Sequence, residues 1–139
     1  MLTTKLINPE IISALSKCGH GSKVLIADGN YPLAEKSGNA KKVYLGVKAG
    51  LPTVTDVLEA IHSVCEIEAA AVMVPEDGST PEIFAEFEKE LGGMKLTPLG
   101  RYEFYDACMK EVPGEEVVLA VSTGEKRTYA NILITIGVA

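Results

Sequence analysis

Apolar and polar positions along this chain follow two periods, and together they predict alternating helices and strands. Behind Asn8-Pro9, Ile11, Ile12, Leu15 and Cys18 recur at helical spacing. Asn is a strong N-cap, Pro fits the first helical position, and Gly19 stands where a helix would close. The run Lys23–Ala27 is short, apolar and β-branched, and predicts a strand. Leu33–Lys42 reads as loop, Lys42–Leu45 as a short strand and Gly46–Pro52 as loop again. Thr53 with Asp56 three residues on resembles a capping box. It opens a helix whose stripe is Val54, Val57, Leu58, Ile61 and Cys65, with His62 at its edge in a structural place. Ala69–Val74 predicts a buried strand stopped by Pro75. Thr80-Pro81 opens a third helix, with Ile83, Phe84 and Phe87 inward and Gly92-Gly93 ending it. Met94–Leu99 is a weaker strand candidate, and Arg101 begins a short helix. Glu116–Val121 and Tyr129–Ile136 predict two final strands around the turn Ser122–Arg127. This alternation argues for a layered α/β domain around a mixed sheet, and the order of its strands stays open.

Composition narrows the class. The chain's 139 residues read as one domain, 1–139, long enough for a proper core. The net charge of −6, with Lys and Arg scattered rather than striped, argues against nucleic acid and against an anionic membrane surface. The longest apolar run, Ala69–Pro75, is far short of a membrane span, and Met1-Leu-Thr-Thr-Lys carries no apolar signal region. The three cysteines, Cys18, Cys65 and Cys108, are odd in number and widely spaced, which predicts buried free thiols in a reducing cytoplasm. No ligand spacing suggests a metal. The apolar end Ile132–Ala139, with little charge to blunt it, is expected to mark an interface of a homo-oligomer.

Candidate chemistry gathers in three polar patches. His20 precedes the strand Lys23–Ala27 and Asp28 follows it, so a rigid element holds an acid/base and a carboxylate. The second patch is Arg101 with Tyr102, Phe104 and Tyr105; the third is Tyr129-Ala130-Asn131. Gly19-His20-Gly21 and Asp28–Pro32 also suit a helix cap and a turn, and that bland reading competes with the functional one. Taken together, the patches supply donors and acceptors suited to a neutral polyhydroxylated ligand. No glycine-rich loop follows a strand into a helix as a nucleotide phosphate requires.

These residues also carry a resemblance. Gly19-His20-Gly21, Ile26-Ala27-Asp28-Gly29-Asn30-Tyr31-Pro32, Arg101-Tyr102-Glu103-Phe104-Tyr105, Thr123-Gly124-Glu125 and Tyr129 through Leu133 keep the order of the ribose pyranase and fucose mutarotase family. The chain resembles that family along nearly its whole length. The resemblance implies that His20 is the proton donor and that Asp28, Tyr129 and Asn131 bind a monosaccharide. Arg101 stands where the fucose branch has arginine and the ribose branch histidine, whereas Gly50-Leu51-Pro52-Thr53 is similar to the ribose branch. The implied fold is a three-layer α/β/α domain in ring-shaped homo-oligomers, often decamers, with sites near subunit boundaries and without cofactor or metal. Two other classes remain open: a non-catalytic sugar-binding accessory of a transport system, and a structural ring subunit.

Overall fold

The apolar run before Asp28 becomes the centre of the molecule. In the computed structural model, which describes residues 1–139, β1 (Lys23–Ala27) has hydrogen-bonded neighbours on both sides. The other strands are β2 (Lys41–Tyr44), β3 (Ile67–Met73), β4 (Thr97–Leu99), β5 (Val117–Ser122) and β6 (Ile132–Ile136). They form one six-stranded sheet in the order β2-β5-β1-β6-β3-β4. β2, β5 and β1 are mutually parallel, as are β3 and β4; β6 runs antiparallel to both β1 and β3. The sheet is therefore mixed, with β6 as its one reversed strand. Val24, Leu25, Ile26 and Ala27 are all fully buried, as continuous apolar runs in strands covered on both faces must be.

Four helices complete a single α/β domain: α1 (Pro9–Ser16), α2 (Val54–His62), α3 (Ile83–Glu90) and α4 (Arg101–Met109). The Ile11 N–H bonds the Asn8 side chain, and Thr53 with Asp56 forms a reciprocal capping box on α2. The apolar stripes of α1, α2 and α3 pack on one sheet face over Val24, Ile26, Val72, Leu119 and Ile134. On the other face, Phe104 and Cys108 of α4 join Tyr31, Leu33 and Ala40 of the long loop after β1, over Leu25, Ala120 and Leu133. The layering is thus helices, sheet, then α4 with that loop. His62 ties α2 to α3 through Glu90 (3.2 Å), a structural place.

Several expected boundaries move. α1 ends at Ser16 with Lys17 as its cap, so Cys18 and Gly19 lie beyond it. Cys65 likewise lies past the end of α2, and only Cys108 is fully buried, with its thiol pushed up to about 12 by burial. The expected last strand begins at Ile132, leaving Tyr129 and Asn131 in the preceding loop. The two last strands, consecutive in sequence, are separated in the sheet by β1. Much of the apolar end is inside: Ile132–Ile136 is wedged between β1 and β3, with Ile132 and Ile134 fully buried. The apolar character of that strand serves the core, while Val138 beyond it is exposed.

Candidate functional site

The carboxyl ends of β1, β3, β4 and β5 lie along one edge of the sheet, and the reversed β6 begins there. Residues just after the parallel strands and just before β6 therefore meet at that edge, where open α/β sheets place ligands. Asp28 follows β1, Arg101 follows β4 and opens α4, and Tyr129 and Asn131 precede β6. These four, from segments far apart in sequence, line one cavity of about 150 Å³ together with Met73 and Tyr105. Arg101 and Tyr105 are four residues apart on α4, which puts both side chains over the same space.

Hydrogen bonds set the polar groups. Asp28 is 2 % exposed and spends its carboxylate on the chain: Oδ1 accepts from the Asn30 N–H (2.9 Å), Oδ2 from the Ala130 N–H (3.1 Å). In return the Asp28 N–H donates to Asn131 Oδ1 (2.8 Å). The loops after β1 and before β6 thus fix each other. Burial pushes the Asp28 carboxyl above its usual range, though these N–H groups pull the other way. The Asn131 carbonyl is committed, while its amide N–H2 faces the cavity and is free to donate. Arg101 Nη2 donates to the Tyr129 hydroxyl (3.1 Å), leaving the phenol proton available to a ligand. Tyr31 and Tyr105 meet edge to face (5.5 Å) and form an aromatic wall. Beyond Arg101 and Tyr129 a second, larger cavity of about 660 Å³ opens under the loop Pro75–Pro81.

His20 is elsewhere. It precedes β1, so β1 alone separates it from Asp28 by about 13 Å at 3.3 Å per residue. The pairing of His20 with Asp28 that their places around one strand suggest is not a contact within one chain. The carboxylate beside His20 is instead Glu68, whose oxygens lie 2.9 and 3.1 Å from Nε2. Glu68 is the extra residue of an irregularity in β3, between Ile67↔Ile136 and Ala69↔Thr135. Nothing in its sequence neighbourhood signals this role, because a long-range strand pairing creates it. His20 is exposed and borders an open cavity with Gly21, Ser22, Asn39 and Glu116. Sequence reasoning also passed over Met73 and Thr128 as lining residues; no local pattern marks them.

The model for the RbsD / FucU transport protein family matches residues 1–139. This chain belongs to that family. Among its members, D-ribose pyranase of Clostridium novyi is 30% identical over 138 residues, covering 99% of this chain and 98% of that protein. D-ribose pyranase of Symbiobacterium thermophilum is 29% identical with the same coverage. The fold agrees as well. Bacillus subtilis RbsD, solved with D-ribose, superposes with a TM-score of 0.84 at 23% identity, over 100% of this chain and 99% of that one. The fucose mutarotase of Streptococcus pneumoniae, solved with L-fucose, gives 0.81 at 24% identity with the same coverage.

Proposed function

We propose that this protein is a monosaccharide mutarotase, an isomerase that opens and recloses the ring of a free aldose and so interconverts its anomers. The observation that carries this reading is the convergence of Asp28, Arg101, Tyr129 and Asn131 on one cavity at the carboxyl edge of the sheet. Membership of a family whose relatives are named for ribose and fucose chemistry supports it. Fucose is the first substrate, on the strength of Arg101. Ribose is the second reading, favoured by the relatives named D-ribose pyranase.

Ring opening needs a proton on the ring oxygen and one taken from the anomeric hydroxyl; rotation about C1–C2 then lets the ring reclose on its other face. One positioned acid/base contributes about 10²–10⁴-fold, enough for a reaction that already proceeds in water. His20 is the proton donor. The Asn131 amide and the Tyr129 phenol donate to sugar hydroxyls, and the Asp28 lone pairs not taken by N–H groups accept from them. Arg101 orients the ring. No metal or cofactor takes part.

His20 reaches a cavity only from a second copy, since β1 holds it away from the cavity of its own chain. The working form is accordingly a homo-oligomer, a ring and by resemblance a decamer, with each site built across a subunit boundary. Free thiols at Cys18, Cys65 and Cys108 fit a cytoplasmic protein. Magnetisation exchange between anomeric protons, with and without protein, tests the activity across fucose, ribose and other common aldoses. Acceleration for at least one is expected, and none for any would end this reading. Light scattering should give a mass well above the 14.8 kDa monomer.

A further inference from the structure

The loop that carries Tyr129 and Asn131 runs from β5 to β6 past the end of β1. Its entrance is fixed: the Thr123 N–H and hydroxyl both donate to the Ala27 carbonyl (3.1 and 2.9 Å), and the Glu125 carbonyl accepts from the Gly29 N–H (2.9 Å). Its exit is fixed by the bonds between Asp28, Ala130 and Asn131. Between these anchors the backbone makes no hydrogen bond to the sheet, and Tyr129 adopts φ +58°. A residue with a Cβ rarely takes that conformation, and it persists only where the surroundings over-determine it. The missing anchor is a side chain. The Arg127 guanidinium donates to both oxygens of Glu125 (3.0 and 3.3 Å) and to both oxygens of Glu86 on α3. Glu125 itself is 4 % exposed. Burial alone would raise its carboxyl, but Arg127 and the Val54 N–H at the start of α2 hold it below the usual range. Arg127 therefore ties the middle of the loop to α3 and to the buried Glu125 at its entrance, two residues before Tyr129.

We propose that Arg127 is a positioning residue of the sugar site: by bridging Glu125 and Glu86 it holds Tyr129 in binding geometry without touching the sugar. The claim rests on the mutarotase reading above. Only the planar fork of arginine serves two carboxylates at once, and lysine reaches one.

The test is Arg127→Ala, with Glu86→Gln as the milder variant that leaves Glu125 paired. Exchange kinetics on the preferred aldose should show KM raised about tenfold, the loss of one or two hydrogen bonds to hydroxyls, with kcat within about threefold. Arg127→Lys should recover part of the loss, and Glu86→Gln should raise KM two- to threefold. With Tyr129→Phe, the Arg127→Ala effect should shrink, because the group it positions is gone. A second readout does not depend on activity. In protein labelled with 13C-tyrosine, the ring signal assigned to Tyr129 through Tyr129→Phe should shift in Arg127→Ala and less in Glu86→Gln. If the wild type accelerates no aldose, the mutarotase reading falls and the Tyr129 signal decides the positioning role alone. An unmoved Tyr129 signal overturns the proposal, as does an unchanged KM in Glu86→Gln or full additivity with Tyr129→Phe. Should Arg127→Ala fail to fold, Glu86→Gln and Arg127→Lys carry the same comparisons.

Discussion

The two ends of β1 are built to different standards. At the carboxyl end Asp28 is 2 % exposed, and both its carboxylate oxygens and its N–H are hydrogen-bonded to the chain around it. At the amino end the His20 side chain is 60% exposed and meets one partner, Glu68. The carboxyl end is thus a tightly bonded junction of loops that the fold depends on. The amino end presents an acid/base outward, with little of the chain's stability resting on it. Under the proposed function, the contrast teaches that one chain would hold two halves of a site, facing opposite ways along a single strand.

The sharpest way to break the comparison is His20→Ala. It should lower exchange by about 10²–10⁴-fold, leave sugar contact in saturation-transfer spectra and leave the unfolding midpoint nearly unchanged. Mixing it with Asn131→Ala, after dissociation and reassembly, should restore part of the activity, since some sites then combine an intact His20 with an intact cavity. No recovery in an assembled mixture would mean that the halves do not meet across chains.

Asp28→Ala should do the reverse and hurt the fold first. The buried Ala130 N–H loses its acceptor at about 1–3 kcal/mol, and the exposed Asn30 N–H loses a weaker bond, readable by urea unfolding. The pH dependence follows from the same residue. Its folded carboxyl lies above the ordinary 3.8, so if the ionised form binds sugar, exchange should fail on the acid side at a pH above 3.8. For stability the sign is opposite: an acid raised on folding penalises the folded state when ionised, and acidification through its range relieves that penalty. Glu125, held below its ordinary 4.5, contributes stability above that value and loses it as pH falls through its folded range. Asp28→Asn should remove the acid limb of exchange if Asp28 causes it.

Arg101→His comes next in size. Arginine offers a broad planar fork, and histidine at most two shorter-reaching bonds. Losing one hydrogen bond to a neutral hydroxyl costs about 0.5–1.5 kcal/mol, so the rate ratio should move from fucose towards ribose by up to roughly tenfold. An unchanged ratio would remove Arg101 as selector and leave the segment Ala34–Pro52, whose end carries the Gly50-Leu51-Pro52 stretch similar to the ribose branch, as the next candidate. The smallest effect belongs to Glu68→Gln. An exposed pair is worth about 0–1 kcal/mol, so exchange should fall by less than about fivefold with stability unchanged.

Much of this was legible in the amino-acid order, because local chemistry carried it. The caps at Asn8 and Thr53, the stripe of α2 and the apolar run of β1 follow from short-range preferences and from the need to bury both faces of a central strand. His20, Asp28, Arg101, Tyr129 and Asn131 stand out in sequence through residue type, neighbours and motif order. What sequence by itself did not determine is which of them meet. Residue order places His20 eight positions from Asp28 and Asn131 more than a hundred away. A strand is extended and rigid, so it keeps the near pair apart; the reversal of β6 brings the far pair within hydrogen-bonding distance. Sheet order is a matter of long-range pairing, and only the tertiary structure decided it. The same pairing turned Ile132–Ile136 into core and put Glu68 beside His20.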